Sequence, residues 1–228
     1  MLIQELSQEG KLKLSDSLGK FIPEYIHKNV TLEQLLTHTS GIPNFTANND
    51  YLTVVMTKSL TPKEIVLSFC SDSLDFKSGE SFRYSNSGYV VLAAVIEVIT
   101  GHPYGKVLKE KILDPLKMDY TSFGSDSLNT TGYNYGKREP KYKIANMAGA
   151  GGMSSTINDL AKWNEGLSNN ALIQSDKLDE MFKPKAEYTD WQAYYGYGWM
   201  IDRFMFKSSK NIRLFIIREQ TLDTIPCS

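Results

Sequence analysis

Residues 79–101 read Gly-Glu-Ser-Phe-Arg-Tyr-Ser-Asn-Ser-Gly-Tyr-Val-Val-Leu-Ala-Ala-Val-Ile-Glu-Val-Ile-Thr-Gly. Across residues 87–100 the apolar side chains fall nearly all round a helix, which predicts a helix buried on every side. Gly101 then suits the C-terminus, because glycine adopts the left-handed conformation found there without strain. The β-branched content also allows a strand, although the stretch is long for one strand. We therefore expect a buried central helix, with Tyr84-Ser-Asn86 directly before it.

Capping signals predict more helices on both sides of this one. Thr31 with Gln34, and Thr61 with Glu64 after Pro62, match the capping box that opens many helices. Apolar spacing predicts further helices over the first residues up to Gly10, at Tyr104–Ile112 and at Ile157–Leu167, the last capped by Thr156 and Asp159. Residues 124–152 read as a long loop. Residues 194–201 and 212–217 shift towards a period of two, which predicts strands after the helices.

Composition excludes several classes of function. The 228 residues are 41% hydrophobic and 22% charged, which is typical of a soluble globular protein. Because 25 basic residues face 26 acidic ones, no electrostatic footprint for nucleic acid is expected. No apolar run is long enough to span a membrane. Three histidines without metal-ligand spacing, and the distant pair Cys70 and Cys227, give no support for a metal, so no cofactor is expected.

Four sequence blocks carry a resemblance to a known family. In order they are Leu35-Leu-Thr-His38-Thr-Ser-Gly41-Ile-Pro43, Phe82-Arg-Tyr84-Ser-Asn86-Ser-Gly-Tyr89, Pro115-Leu-Lys-Met118 with Thr121, and Gly149-Ala-Gly-Gly152-Met-Ser-Ser-Thr156 with Asp159-Leu. The chain resembles the serine β-lactamase-related hydrolases, which include class C β-lactamases, D-alanyl-D-alanine peptidases and several esterases. The resemblance extends to about Ile201. It implies an α+β fold of the β-lactamase/transpeptidase type, in which helices flank an antiparallel sheet and a helical lobe completes the cleft.

The resemblance also implies acyl transfer through a serine. Tyr84 would be the general base, and the Asn86 amide would orient the substrate and the lysine of a Ser-x-x-Lys motif. Ser85, Gly151 and Gly152 would contact the substrate. Structural interpretations stay open: Tyr84 as an aromatic lid on the core, Asn86 as the N-cap of the following helix, and Ala148–Gly152 as a tight turn rather than an anion cradle. For His38 and the nearby Ser40, we expect a loop-supporting role.

The chain departs from the family at its first motif. The family's nucleophile helix continues into a Leu-x-x-x-Gly-Lys-Leu pattern, here Leu6 to Leu12. Counting back along it places the serine several residues before Met1. The Ser17-Leu-Gly-Lys20 match follows the Gly10 stop and contains a glycine that disfavours a helical turn. We therefore expect no catalytic serine within these residues.

The third motif, a Lys-Thr-Gly or His-x-Gly strand, is also missing. Lys207-Ser-Ser lacks the glycine that lets substrate approach closely. Codons compatible with the sequence from Phe215, read one frame over, can encode His-His-Gln-Gly-Thr-Asn-Ala-Gly-Tyr-His, which contains His-x-Gly. This predicts a frameshift near Phe215 and an out-of-frame tail over residues 215–228.

The sequence thus predicts one partial β-lactamase-related domain over residues 1–228. Residues 1–190 would form a mainly helical lobe and residues 191–217 strands of the sheet. The expected substrate is a small-molecule or peptidoglycan-type amide or ester. The alternative is a catalytically dead remnant, or a module that binds cell-wall peptide or a protein partner. The N-terminus lacks the features of a signal peptide, whereas the resemblance implies export, which would need a signal before Met1. The oligomeric state stays open.

Overall fold

The buried central helix predicted from the sequence forms as α4, Asn86–Thr100, and ends at Gly101 in the left-handed conformation. The computed structural model describes residues 1–48, 57–124, 133–138 and 143–202. The predicted strand at 212–217, Lys207-Ser-Ser and the tail from residue 215 lie outside these residues. Nine of the ten α4 residues from Ser87 to Ile96 are buried, all except Tyr89. Each fully buried aliphatic side chain contributes roughly 1.5–3 kcal/mol to the stability of the fold, so this helix organises the core.

Within the ranges that the structure describes, six other helices surround α4 or follow it. They are α1 Leu2–Gln8, α2 Leu32–Leu36, α3 Pro62–Phe69, α5 Tyr104–Leu108, α6 Ile157–Ser168 and α7 Ser175–Met181. Both predicted capping boxes are confirmed, at Thr31 of α2 and Thr61 of α3. Helices α1, α2 and α3 all contact α4. The predicted helix after Tyr104 changes to a π-helix over Lys109–Leu113.

The strands among the described residues are short and form three small antiparallel sheets. They are β1 Ser122–Phe123, β2 Tyr133–Asn134, β3 Lys137–Arg138, β4 Met153–Ser154, β5 Ala186–Tyr188, β6 Ala193–Tyr195 and β7 Met200–Asp202. The pairs are β1 with β4 and β2 with β3, while β5, β6 and β7 form one sheet in that order. Strands β6 and β7 lie in the stretch where the sequence predicts strands. The part of the chain that the structure describes is therefore helix-rich with little sheet, as expected.

Asp159 joins α6 to the segment before β1. Its side chain is fully buried and accepts hydrogen bonds from the Tyr120 amide at 2.8 Å, the Thr121 hydroxyl at 2.9 Å and the Lys162 ammonium at 2.8 Å. The sequence predicts Asp159 as part of the α6 cap. Thr156 alone provides that cap, because its hydroxyl accepts from the Asp159 amide, and the carboxylate is free to bind the other segment.

A cavity of about 760 Å³ opens between α1, α4, α5 and α6. Its walls are mostly apolar and include Leu36, Tyr89, Ile96, Leu108, Met153 and Trp163.

Among the described residues, no single helix is long and apolar enough to cross a membrane. Only α4 and the helix at Tyr104–Leu113 together reach that length and composition, and they are bent by 81° relative to each other.

Candidate active site

The Tyr84-Ser-Asn86 tripeptide lies where an extended segment turns into α4. Ser85 is the N-cap residue, with an extended backbone at φ −146° and ψ 119°, and Asn86 is the first residue of the helix. The interpretation of Asn86 as the N-cap is therefore wrong by one residue. The cap position also has no side-chain hydrogen bond to the helix. The Asn86 side chain is consequently not needed to close the helix end.

Asn86 is held by the loop after α2. Its backbone amide donates to Asn44 Oδ1 at 3.2 Å, and its Nδ2 donates to Thr46 Oγ1 at 3.3 Å. Thr46 in turn donates to Asn44 Oδ1 at 3.1 Å. The Asn86 side chain is only half-buried. Its amide thus has a fixed orientation at the start of α4, while its oxygen is left with acceptor capacity for another group.

Tyr84 is half-buried and packs on a histidine. The centroids of the Tyr84 and His38 rings lie 4.3 Å apart at an interplanar angle of 37°. Burial, followed by the neighbouring Tyr188, raises the pKa of the Tyr84 hydroxyl. A raised pKa keeps the phenol protonated at neutral pH. Tyr84 in this environment can donate a hydrogen bond, but it is not a base.

His38 lies beneath Tyr84 in the core, 2% exposed, and its imidazole Nδ1 accepts a hydrogen bond from the Ser85 amide at 3.2 Å. Burial lowers the pKa of the imidazole to about 3, so the ring is neutral. Its backbone has a φ of 56°, which is uncommon for residues other than glycine. These contacts agree with the expected supporting role.

The other expected substrate contacts differ in accessibility. Ser85 is 2% exposed, and its buried hydroxyl has no protein partner among the described residues. Gly151 is exposed, whereas Gly152 is half-buried with a φ of 75°. A Cβ at Gly152 would lie 2.5 Å from the Ile144 carbonyl oxygen. Gly152 therefore serves close backbone packing in this structure, whereas Gly151 is the more exposed of the two glycines.

The turn that contains these glycines packs against the first turn of α4. A Cβ added at Gly149 would lie 2.3 Å from the Tyr89 carbonyl oxygen. Gly149 also has a φ of 77°. Such a close approach is what the tight-turn interpretation of Ala148–Gly152 predicts.

Ser17 and Lys20 do not form a catalytic pair. Ser17 precedes a short 3₁₀ turn, Leu18–Lys20, and pairs in an isolated bridge with Thr31. The Lys20 ammonium binds the Asp16 carboxylate at 2.7 Å and is largely exposed. A Ser-x-x-Lys pair needs a helical turn to bring its two side chains together. The expectation that this match is not catalytic agrees with the geometry.

An aromatic wall around His38 was not predicted from the sequence. Tyr195 lies 4.7 Å from the His38 ring, Tyr89 lies 4.9 Å from it and Phe82 lies 5.9 Å from it, measured between ring centroids. Tyr195 and its neighbours in the sheet are distant from α2 in sequence, so no local spacing reveals the contact.

The described residues contain no group of three or more His, Cys, Asp or Glu side chains suited to a metal ion.

Ser87 connects the start of α4 to the loop that holds Asn86. Its hydroxyl donates to the Pro43 carbonyl at 2.5 Å and accepts from the Phe45 amide at 2.9 Å. Ser87→Ala leaves both backbone groups without this partner, so we expect a loss of about 2–3 kcal/mol of unfolding free energy, measured in urea. Ser168→Ala, at an exposed hydroxyl, is the control and should change stability by less than about 0.5 kcal/mol. Equal stability of the two variants would contradict this role of Ser87.

Sequence comparison matches the chain to one known family. The beta-lactamase family model matches residues 1–208. Protein flp of Staphylococcus aureus (strain COL) is 34% identical over 129 residues, which are 54% of this chain and 25% of that protein. Penicillin-binding protein 4* of Bacillus subtilis (strain 168) is 26% identical over 222 residues, covering 86% of this chain and 48% of that protein. The chain thus spans from a quarter to about half of the length of these relatives.

Structural comparison agrees with the sequence match. A D-stereospecific amidohydrolase from Streptomyces sp. superposes with a TM-score of 0.76 at 26% identity, over 88% of this chain and 67% of that one. The described helices and small antiparallel sheets therefore have the β-lactamase/transpeptidase-like fold that the sequence predicts. With the family match over residues 1–208, the chain belongs to the beta-lactamase family.

Proposed function

We propose that this chain supplies the Tyr84–Asn86 wall of an acyl-transfer site that acts on an amide or ester. The observation that carries the proposal is the fixed position of the two side chains at the start of α4. The Asn86 side-chain amide donates a hydrogen bond to Thr46, and the Tyr84 ring packs on the His38 ring. Neither contact is needed to cap α4 or to complete its buried face. Two side chains held in place at the surface end of a buried helix are typical of a site for a ligand.

In the proposed reaction, a serine hydroxyl attacks the carbonyl carbon of the substrate. Tyr84, as phenolate, takes the proton of that hydroxyl, and the amine or alcohol leaves with a proton as the acyl-enzyme forms. Water then attacks the acyl-enzyme and releases the acid. The Asn86 amide orients the substrate. We propose that the serine is absent from these 228 residues, since Ser17 lies outside any α-helix and the Lys20 ammonium binds Asp16.

The pKa of Tyr84 supports the proposal that this chain supplies one wall of the site and another segment supplies the serine. Burial and Tyr188 raise the pKa of the hydroxyl, and a base needs the opposite shift. A lysine ammonium close to Tyr84 would favour the phenolate and lower the pKa. The proposed serine-bearing segment, with its Ser-x-x-Lys motif, would bring that lysine. Without it, Tyr84 stays protonated and the chain does not form an acyl-enzyme.

Covalent labelling tests the proposal. The 228-residue chain and the same chain extended by the in-frame codons upstream in its gene are each incubated with a fluorophosphonate or penicillin, and the intact mass is measured. We expect the extended protein to gain one adduct on a serine of a Ser-x-x-Lys motif and the 228-residue chain to gain none. In the extended protein, Tyr84→Phe should slow acylation by about 10²–10⁴-fold, because it removes the general base.

Tyr120→Phe is the matched control, since Tyr120 is 72% exposed and should leave the acylation rate unchanged. An adduct on the 228-residue chain would contradict the proposed absence of the nucleophile. If neither protein is acylated, calorimetry with a peptide ending in D-Ala-D-Ala tests the alternative. Binding without turnover would then favour a non-catalytic module that recognises cell-wall peptide.

A further inference from the structure

His38 contacts the chain on both sides of Tyr84. Its carbonyl oxygen accepts a hydrogen bond from the Arg83 amide at 2.9 Å, and its imidazole Nδ1 accepts one from the Ser85 amide at 3.2 Å. Tyr84 lies between Arg83 and Ser85 in the chain, and its ring packs at a tilt of 37° on the imidazole, with the ring centroids 4.3 Å apart. One residue therefore fixes the backbone before Tyr84, the backbone after it and the face of its ring.

The hydrogen bond from Ser85 defines the chemical form of the imidazole. A nitrogen that accepts a hydrogen bond carries no proton, so the proton of the neutral ring is on Nε2. Nε2 is buried and has no protein partner among the described residues. Protonation at Nδ1 would replace this acceptor with a second donor facing the Ser85 amide. The hydrogen bond and the burial thus require the same neutral form.

The backbone of His38 does not itself call for a histidine. A φ of 56° is uncommon for residues other than glycine, and asparagine, aspartate and histidine adopt it more often than the rest. A residue with such a φ is held there by the surrounding structure. In this structure the imidazole makes two specific contacts, one with the Ser85 amide and one with the Tyr84 ring.

We propose that His38 is a positioning residue for Tyr84: its neutral imidazole sets the orientation of the phenol ring towards the proposed reaction site. This inference rests on the proposed function of Tyr84, but the orientation itself is a property of the chain alone. His38 does not touch the reacting atoms. It acts only through Tyr84 and through the backbone at Ser85.

A purely space-filling role is the competing interpretation, because the imidazole also packs against Phe82, Tyr89 and Tyr195. Two substitutions separate the contacts of the imidazole. His38→Asn accepts the positive φ and retains an acceptor near the position of Nδ1, but it has no ring. His38→Phe retains a ring and has no acceptor. Phe82→Leu is the control, since it changes packing on the same imidazole and leaves both hydrogen bonds in place.

Two nuclear magnetic resonance readouts report on the contacts. The first is the ¹³Cζ and ring-proton signals of Tyr84 in protein with labelled tyrosine, assigned with Tyr84→Phe. The second is the hydrogen-exchange rate of the Ser85 amide. We expect His38→Asn to shift the Tyr84 signals while the Ser85 amide stays protected. We expect His38→Phe to accelerate exchange of the Ser85 amide by about tenfold, since the amide loses its acceptor.

Phe82→Leu should leave the Tyr84 signals close to those of the original chain. Tyr84 signals that His38→Asn shifts no more than Phe82→Leu does would overturn the proposal. If His38→Asn does not fold, an unchanged exchange rate in His38→Phe would overturn it instead. Neither readout depends on acylation. A failure of the labelling experiment with the expected NMR shifts would therefore reject the proposed function and leave the positioning role intact.

Discussion

Acidification from pH 6.5 to pH 5 is expected to lower the free energy of unfolding by about 2 kcal/mol through His38 alone. Burial lowers the pKa of this imidazole from 6.5 in the unfolded chain to about 3 in the fold. Between these values the unfolded chain binds a proton that the folded chain does not. Stability therefore falls as the pH drops below 6.5, by about 1.4 kcal/mol for each pH unit. Below pH 3 both states are protonated and the decline stops.

Other groups with a shifted pKa also change the stability with pH. Burial lowers the pKa of the Met1 amino group to about 6, so its contribution falls mostly between pH 8 and pH 6. Hydrogen bonds from lysines lower the pKa of the Glu9 and Glu180 carboxyls, and these groups lose their contribution only at more acidic pH. Burial raises the pKa of the Glu5 and Glu97 carboxyls, so these groups oppose the effect of His38 as the pH falls towards 5. The His38 contribution is therefore measured as a difference between two variants.

Urea unfolding at half-unit steps from pH 6.5 to pH 5 measures the slope. His38→Asn has no titrating group at this position, so its free energy of unfolding should vary less with pH by about 2 kcal/mol over the same range. The comparison cancels the contribution of every titrating group that the two proteins share. Parallel curves would mean that His38 is protonated in the folded chain, or that the fold opens around it.

The second large effect is expected for Gly149→Ala. The new Cβ would overlap the Tyr89 carbonyl oxygen, 2.3 Å away, in the first turns of α4. The φ of 77° adds the strain that any L side chain has in the left-handed region. Together we expect a loss of about 3 kcal/mol or more in unfolding free energy. For a chain of this length, that corresponds to a fall in Tm of about 6–12 °C.

Gly101→Ala separates the backbone strain of a positive φ from the steric overlap of the new Cβ. Gly101 ends α4 at a φ of 69°, and a Cβ there has no heavy atom within 4 Å. Only the left-handed strain remains, so we expect a loss of about 1 kcal/mol. Calorimetry of both variants measures the difference. If the two glycines respond equally, the contact between the Ala148–Gly152 turn and α4 is not as close as the structure has it.

Local signals explain which elements the sequence could predict. A capping box marks the start of helix α3, and a continuous apolar pattern marks helix α4. Each signal involves residues that lie within a few helical turns of each other. Helix α7 has no such signal. Its sequence, Ser-Asp-Lys-Leu-Asp-Glu-Met, is mostly charged and buries only Leu178 and Met181. Strand β5 is equally obscure, since its three residues form a strand by pairing with β6.

The site divides in the same way. The sequence by itself determined that Tyr84 and Asn86 stand at the start of a buried helix, because helix signals depend on neighbours along the chain. Only the tertiary structure decided what holds them. His38 lies 46 residues before Tyr84, and Tyr195 follows more than a hundred residues later. The state of the His38 imidazole depends on burial by these distant segments, and burial is a property of the folded chain alone.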